Sequence, residues 1–324
     1  MNMFKKGLAG LVAGLCMAGA AAAFPTSMIT IIVPYPAGST PDNLARTIAE
    51  KMHNELGQSV IVDNRPGAST FIGMRALLRA QPDGHTIAMT SLSTAVLNKL
   101  VFTSMPYDPE RDFAPLANLG GAPFVLVVNP ELGVKSVKEL VDRARKEPGS
   151  INFASGGIGN STHLLGEKLN AASGGNMTHV PFAGSAPALA NLLGGHVQLY
   201  FDSANNAVPH IKAGKLVALA VTSDARMSVL PDVPTMAESG FPDFEMDAWF
   251  AISAPRQTPP EALNVLSKAV NAALSDEALR AQFAATGLIL GKPGTPDEIK
   301  RFFAQEMSKW GEIVKPLNIR LDPN

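Results

Sequence analysis

Two stretches of this chain decide how it folds: Ile29-Thr30-Ile31-Ile32-Val33-Pro34 leading into Tyr35-Pro36-Ala37-Gly38-Ser39-Thr40-Pro41-Asp42, and Ile151-Asn152-Phe153-Ala154-Ser155 leading into Gly156-Gly157-Ile158-Gly159-Asn160-Ser161-Thr162-His163. Each is an apolar strand followed by a turn rich in Gly, Ser and Thr that opens onto a helix. A helix N-terminus leaves backbone N–H groups without intrahelical partners, so each turn predicts an anion site. Because the two turns lie far apart in the chain, they predict two lobes that close on one acidic ligand.

The composition places the chain among globular proteins and excludes nucleic acid as a partner. Its 324 residues suffice for two domains, and a hydrophobic content of 46% supplies a core. The formal net charge of -1 and the aromatic content of 6% provide neither the basic field nor the stacking surface that nucleic-acid binding needs.

The first 23 residues read as a secretory signal peptide. Lys5 and Lys6 precede an apolar stretch that ends in Ala21-Ala22-Ala23, a small-residue cleavage site, so we expect cleavage after Ala23 and a periplasmic location. A retained membrane anchor is the alternative, which the shortness of the apolar run disfavours. Cys16 is the chain's one cysteine and lies inside the signal, so the mature protein offers no thiol for a disulfide, a nucleophile or a metal site.

Strands and helices alternate along the rest of the chain, which predicts an α/β fold with a βα sheet in each lobe. An apolar strand at Phe124–Val128 follows a break at Gly120–Pro123, and Ala248–Ser253 is an apolar strand that leads back. The pattern therefore predicts a clamshell with two crossing strands as its hinge. We expect a first lobe over residues 24–121, a second over 122–246, and a return to the first over 247–324.

Several short runs carry a resemblance that covers the mature chain in order. They are Val33 to Asp42, Val62-Asp63-Asn64-Arg65-Pro66-Gly67-Ala68, Gln81-Pro82-Asp83-Gly84-His85-Thr86, Val180-Pro181-Phe182-Ala183-Gly184-Ser185-Ala186-Pro187-Ala188, Leu230-Pro231-Asp232-Val233-Pro234-Thr235 and Lys309-Trp310-Gly311. Together they resemble the Bug-type extracytoplasmic receptors of tripartite tricarboxylate transporters. The resemblance implies a type II periplasmic-binding-protein-like fold, a small carboxylate held between the lobes and, in many members, delivery to a membrane permease.

The first two turns supply most of the candidate ligand-binding residues. The resemblance carries over Tyr35, Ala37, Gly38, Ser39 and Thr40 from the first turn. In the second, glycines free the backbone and polar side chains gather at a helix start, so we expect contacts from Ser155, Gly156, Gly159, Asn160, Ser161 and Thr162.

A third strand–turn–helix adds Ala183 and Gly184, with Ser185 beside the same cleft. Two further residues have two interpretations each. His163 either contacts the ligand or packs in the first turn of its helix, and Asp202, at the end of an apolar strand, either touches the ligand or caps the next helix. Arg65 lies in a turn typical of a surface hairpin, so we expect it to pair with Asp63.

An enzyme is the rival class, with Ser161, His163 and Asp202 as a hydrolase triad. The chain lacks a G-x-S-x-G elbow at Ser161, and its histidines form no H-E-x-x-H pair, so neither hydrolysis nor a catalytic metal is supported. The sequence therefore predicts a monomeric periplasmic receptor for a small mono-, di- or tricarboxylate, with no cofactor and no catalysis. It does not decide which acid binds, or whether a permease or a sensor receives it.

Overall fold

The computed structural model describes residues 24–174, 176–315 and 319–322, and the expected signal peptide lies outside them. The strands are β1 (Ile29–Val33), β2 (Val60–Asn64), β3 (Thr86–Ser91), β4 (Phe113–Val128), β5 (Asn152–Ser155), β6 (Thr178–Pro181), β7 (Leu199–Ser203), β8 (Val217–Val221), β9 (Asp247–Pro255) and β10 (Ile289–Leu290). The helices are α1 (Thr40–Leu56), α2 (Phe71–Arg79), α3 (Asn98–Val101), α4 (Pro109–Asp112), α5 (Val137–Lys146), α6 (Ser161–Ser173), α7 (Ser185–Leu193), α8 (Ala204–Lys212), α9 (Pro260–Leu274), α10 (Glu277–Ala284) and α11 (Pro296–Val314).

The first lobe is built on a mixed sheet in the order β2-β1-β3-β9-β4. Strands β1, β2 and β3 are parallel, β9 runs antiparallel to β3, and β4 pairs with β9 from Phe113 to Pro123. Helix α1 packs against this lobe's core through one apolar face. Leu44, Ile48 and Met52 recur every fourth residue, so they lie on one side of the helix, and all three are buried.

The second lobe has its own sheet in the order β8-β4-β7-β5-β6. From Phe124 onward β4 pairs antiparallel with β7 and β8, while β5 is parallel to both β6 and β7. Strand β4 thus runs through both sheets. The chain returns to the first lobe at Met246–Asp247: the Met246 N–H still donates to the Thr222 carbonyl of the second lobe, whereas Asp247 pairs with Pro123 in the first-lobe sheet. The molecule is the expected two-lobed clamshell.

The break expected at Gly120–Pro123 was wrong, because β4 continues through it. Here three strands approach so closely that a Cβ on Gly120 would lie 2.0 Å from the Ile289 carbonyl oxygen, and one on Gly121 2.1 Å from that of Ala248. Glycine at these two positions therefore lets β9 and β10 lie close against β4, and it does not end the strand.

The turn after β2 also differs from expectation. Arg65 does pair with Asp63, at 2.8 Å between Nε and Oδ2, as predicted. The turn, however, leads from a parallel strand into α2 and is not a hairpin, since β2 pairs with β1. Across the described residues, no helix has the length and apolar character needed to cross a bilayer.

Candidate functional site

A cavity of about 70 Å³ lies between the two lobes and is lined from both. Its walls are Tyr35, Thr40, Pro41, Ser91, Leu92 and Ser93 of the first lobe, Phe124, Gly156, Asn160, Ser161, Thr162, Ser185, Tyr200, Asp202, Ser203 and Asn206 of the second, and Ala248, Trp249 and Phe250 of β9.

Four helix N-termini contribute to this cavity. Thr40 begins α1, Ser161 begins α6, Ser185 begins α7, and Ser203 is the N-cap of α8. The N–H groups of a first helical turn have no partner within the helix, and the aligned peptide dipoles leave partial positive charge there. Four such ends direct partial positive charge toward the cavity, and none of the lining residues that the structure describes is Lys, Arg or His.

The second turn is held in shape by its own polar side chains. Asn160 caps α6, because its Oδ1 accepts a hydrogen bond from the His163 N–H at 3.0 Å. The Thr162 hydroxyl accepts from the Gly156 N–H and donates to Asn160 Oδ1, both at 2.9 Å. These bonds fold the turn back on the helix start, which places Gly156, Asn160 and Ser161 in the cavity wall.

Asp202 brings a carboxyl group into this wall. Its side chain is buried, and Oδ1 accepts from the Ser203 N–H at 2.9 Å and from Asn206 Nδ2 at 3.3 Å. Oδ2 is buried and has no hydrogen-bond partner in the part of the chain that the structure describes. Burial raises the pKa of Asp202 to about 7, although the bonds from Asn206 and Ser203 favour the charged form.

Hydroxyl groups complete the polar lining. Tyr35 OH lies 2.7 Å from Ser91 Oγ, and burial raises the pKa of Tyr35 to about 12. Tyr200 OH and Ser203 Oγ are buried without a partner among the described residues. Burial, together with repulsion from Asp202, raises the pKa of Tyr200 well above its usual value. Both tyrosines therefore remain neutral hydrogen-bonding groups at physiological pH.

A second cavity of about 370 Å³ adjoins the first and shares Tyr35, Gly156 and Asn160 with it. The third turn contributes Ala183 and Gly184. The opposite wall includes Ala68, Ser69 and Thr70, whose φ values of 45°, 50° and 79° are unusual for residues other than glycine. Strain of this kind is found where surrounding structure enforces it, often at ligand sites.

Direct contacts hold the lobes together around these cavities. Thr40 Oγ1 of α1 donates to Asn206 Oδ1 and accepts from Asn205 Nδ2, both at 2.9 Å, and Ser69 Oγ donates to the Ile158 carbonyl at 3.0 Å. The backbone of Gly184 lies so close to Pro36 that a Cβ there would be 2.5 Å from Pro36 Cδ. The structure is therefore a closed form of the clamshell.

Comparison with known proteins assigns the chain to a family. The sequence model of one protein family, the tripartite tricarboxylate transporter family receptor, matches residues 44–319. The chain belongs to this receptor family. BugT of Bordetella pertussis is 36% identical over 312 residues, which are 95% of each protein.

Two solved structures are similar to the chain over almost its whole length. An R. palustris protein with adipate has a TM-score of 0.88 and 34% identity, covering 92% of this chain and 99% of that one. MatC from Rhodopseudomonas palustris with bound malate has a TM-score of 0.86 and 32% identity, covering 90% and 100%. The chain is thus an extracytoplasmic receptor rather than an enzyme.

The hydrolase triad is not assembled in this receptor. His163 Nδ1 accepts the Gly159 N–H at 3.1 Å, and its Nε2 lies 3.5 Å from Glu167. Asp202 bonds Ser203 and Asn206 instead of the imidazole.

Behind the second turn, His163 and His179 stack with ring centroids 4.0 Å apart and an interplanar angle of 21°. With Glu167 they form a set of nitrogen and oxygen atoms within 4.8 Å of one another. The lone pair with which an imidazole binds a metal lies in the plane of its ring. In two stacked rings these lone pairs point side by side, so they do not converge on one ion at about 2.0–2.1 Å from both nitrogens.

His179 is therefore better described as a support for the turn. Its Nε2 lies 2.6 Å from the Ser155 hydroxyl. Burial, with the nearby His163, lowers the pKa of His179 to about 4, so its ring is neutral at physiological pH.

The receptor's predicted site residues fall into three groups. Those that line the first cavity are Tyr35, Thr40, Gly156, Asn160, Ser161, Thr162 and Asp202, and those that line only the second are Ala183 and Gly184. Those that line neither are Ala37, Gly38, Ser39, Ser155, Gly159 and His163.

The residues outside both cavities have other contacts. Gly38 is exposed and its N–H bonds Asp42, while the Ser39 hydroxyl donates to the Pro36 carbonyl at 2.7 Å. Gly159 is buried against the first lobe rather than the cavity.

Among the lining residues that sequence reasoning missed, six carry a polar side-chain atom: Ser91, Ser93, Tyr200, Ser203, Asn206 and Trp249. Four of them lie just at or after the carboxyl ends of β3 and β7, where α/β sheets bind ligands, so the rule applied to Asp202 would have found them. Tyr200 and Trp249 lie within apolar strands and carry no such signal.

Proposed function

We propose that this receptor binds a small carboxylate in the cavity between its lobes. The observation that supports this most directly is the convergence of four helix N-termini on a cavity that, among the described residues, no basic side chain lines. Such a site favours an anion that accepts several hydrogen bonds over a cation or an uncharged sugar.

The available donors are sufficient for this task. Charge-assisted hydrogen bonds contribute roughly 1.5–3 kcal/mol each, and residues of both lobes supply backbone N–H groups and hydroxyls to the cavity wall. Waters that bridge a ligand to the protein can add to these bonds. Ser91, Ser93 and Tyr200 offer hydroxyl groups to the rest of such a ligand. The relatives with adipate and malate are consistent with a ligand of this class.

The same proposal covers where the protein acts. We infer that residues 1–23 direct export and are removed after Ala23, that the mature protein is a periplasmic monomer, and that it passes its ligand to a permease of the tripartite tricarboxylate type. We also propose that the lobes divide at residues 121/122 and 246/247. This division is supported by the pairing of β4 with strands of both lobes and by the Met246–Asp247 crossing, which together would form the hinge.

Isothermal titration calorimetry on the mature protein tests the ligand class. The panel is adipate, malate and succinate, with glucose and lysine as uncharged and cationic controls. The purified protein is first unfolded, dialysed and refolded, because a copurified ligand would otherwise mask binding. We expect saturable binding of at least one carboxylate and none of glucose or lysine. Binding of glucose but of no carboxylate would contradict the proposal.

A further inference from the structure

Asp202 presents a chemical problem for an anion receptor. It is the one acidic side chain among the described residues that line the first cavity, and no basic side chain lies there to neutralise it. Its side chain is 1% exposed. An ionised Asp202 would repel a bound carboxylate, and because Asp202 is buried the repulsion would be weakly screened.

The two oxygens of Asp202 have different roles. Oδ1 is engaged by the Ser203 N–H and by Asn206 Nδ2, which anchors the carboxyl group to the start of α8. Oδ2 is buried without a partner among the described residues, as are the nearby hydroxyls of Tyr200 and Ser203. An unpartnered buried polar atom is costly, so its presence in a cavity wall indicates a bond that is made only when the cavity is filled.

We propose that Asp202 meets the ligand as a neutral carboxylic acid and donates a hydrogen bond from Oδ2 to a carboxylate oxygen of the ligand. Binding therefore takes one proton from solution onto Asp202 wherever that group is ionised in the free protein. This inference rests on the proposed carboxylate ligand. The alternative, an ionised Asp202 that accepts from an ammonium group, would place a cation among four helix N-termini, where it is repelled.

The surroundings of Asp202 leave it as the group that titrates. The groups that face it are Ser203 and Asn206 on the start of α8, Tyr200 on its own strand, and Val125 opposite in β4, of which Tyr200 alone is ionisable. Tyr200 stays neutral, as does Tyr35 across the cavity. Burial brings the pKa of Asp202 to about 7, and a neighbouring carboxylate raises it further.

Proton uptake is measured by titrating adipate and malate in pairs of buffers with different ionisation enthalpies, at pH 8.5 and pH 6.5. With a free pKa of about 7, Asp202 is almost fully ionised at pH 8.5, so binding takes up about 0.7–1 proton there and about a quarter of a proton at pH 6.5. The affinity of the wild-type protein falls about twentyfold between the two pH values.

Asp202→Asn is the diagnostic variant, because its amide donates without titrating. We expect it to bind with no proton uptake and with the same affinity at both pH values. Asp142→Asn is the control: Asp142 lies on α5, bonds Lys138 and lines neither cavity. The control should keep the wild-type uptake.

The possible outcomes separate the two proposals. Carboxylate binding without proton uptake at pH 8.5, or uptake that persists in Asp202→Asn, would overturn the role of Asp202 and leave the ligand class intact. Failure of every carboxylate to bind at either pH would overturn both. Should Asp202→Asn not fold, the two proton counts of the wild-type protein still decide, since equal uptake at both pH values is incompatible with a group that titrates near 7.

Discussion

Gly159→Ala tests whether the closed contact between the lobes forms part of the ligand-bound state. Gly159 has a φ of 79°, and a Cβ there would lie 2.9 Å from Leu321 Cδ1, 3.0 Å from Phe102 Cε2 and 3.1 Å from Val101 Cγ2 of the first lobe. Gly38 has the same φ of 79°, yet a Cβ there would meet nothing within 4 Å. The pair separates backbone strain from steric opposition to closure.

The expected magnitude follows from these contacts. A left-handed residue other than glycine destabilises each variant by about 1 kcal/mol, in the open and closed forms alike. Overpacking costs about 1–3 kcal/mol more and acts only where the first lobe lies against Gly159. Ligand affinity should therefore fall about 5- to 150-fold in Gly159→Ala and remain near that of the wild type in Gly38→Ala.

The assay is calorimetric titration of both variants with adipate or malate, whichever binds the wild-type protein more tightly, alongside thermal unfolding without ligand. Similar melting temperatures with a selective loss of affinity in Gly159→Ala support the reasoning. Equal affinities for the two folded variants would refute it, because the contact at Gly159 would then be absent from the bound state.

Three further changes have defined outcomes. Thr40→Val removes the hydroxyl that joins α1 to the second lobe and should weaken binding about 3- to 10-fold in a titration, whereas Thr47→Val, whose hydroxyl bonds within its own helix, should not. The raised pKa of Asp202 means that wild-type stability falls as pH rises from about 4 to 7, so Asp202→Asn should increase the free energy of unfolding without ligand by up to about 4 kcal/mol at pH 8 and progressively less toward pH 4, as denaturant melts would measure. Because Trp249 lines the cavity and Trp310 does not, the change of intrinsic fluorescence on binding should be lost in Trp249→Phe and kept in Trp310→Phe, and the reverse result would contradict the position of the site.

Local signals in the sequence predicted much of this fold and part of the site. The strand–turn–helix pattern at Ile29–Asp42 and Ile151–His163 predicts where a helix begins, which depends on neighbouring residues alone. In the structure both helix starts line one cavity. Asp202 was found in the same way, from its place at a strand end.

Features that depend on tertiary packing could not be read in this way. Gly120 and Gly121 look like a chain break, and only the approach of neighbouring strands explains why they lie inside β4. Gly159 looks like a ligand-facing glycine, but its space is taken by the other lobe. Trp249 reaches the cavity from the hinge strand, a position that no local pattern encodes.

A crystal structure of the mature protein with bound adipate or malate tests the central claim most directly. The account predicts a ligand carboxylate between the lobes, within about 3.2 Å of backbone N–H groups at the starts of α6 or α7, with another polar contact to Asp202 Oδ2 and no basic side chain touching the ligand. A carboxylate bound outside this cavity, or held there by an arginine or lysine that moves in, would contradict the account.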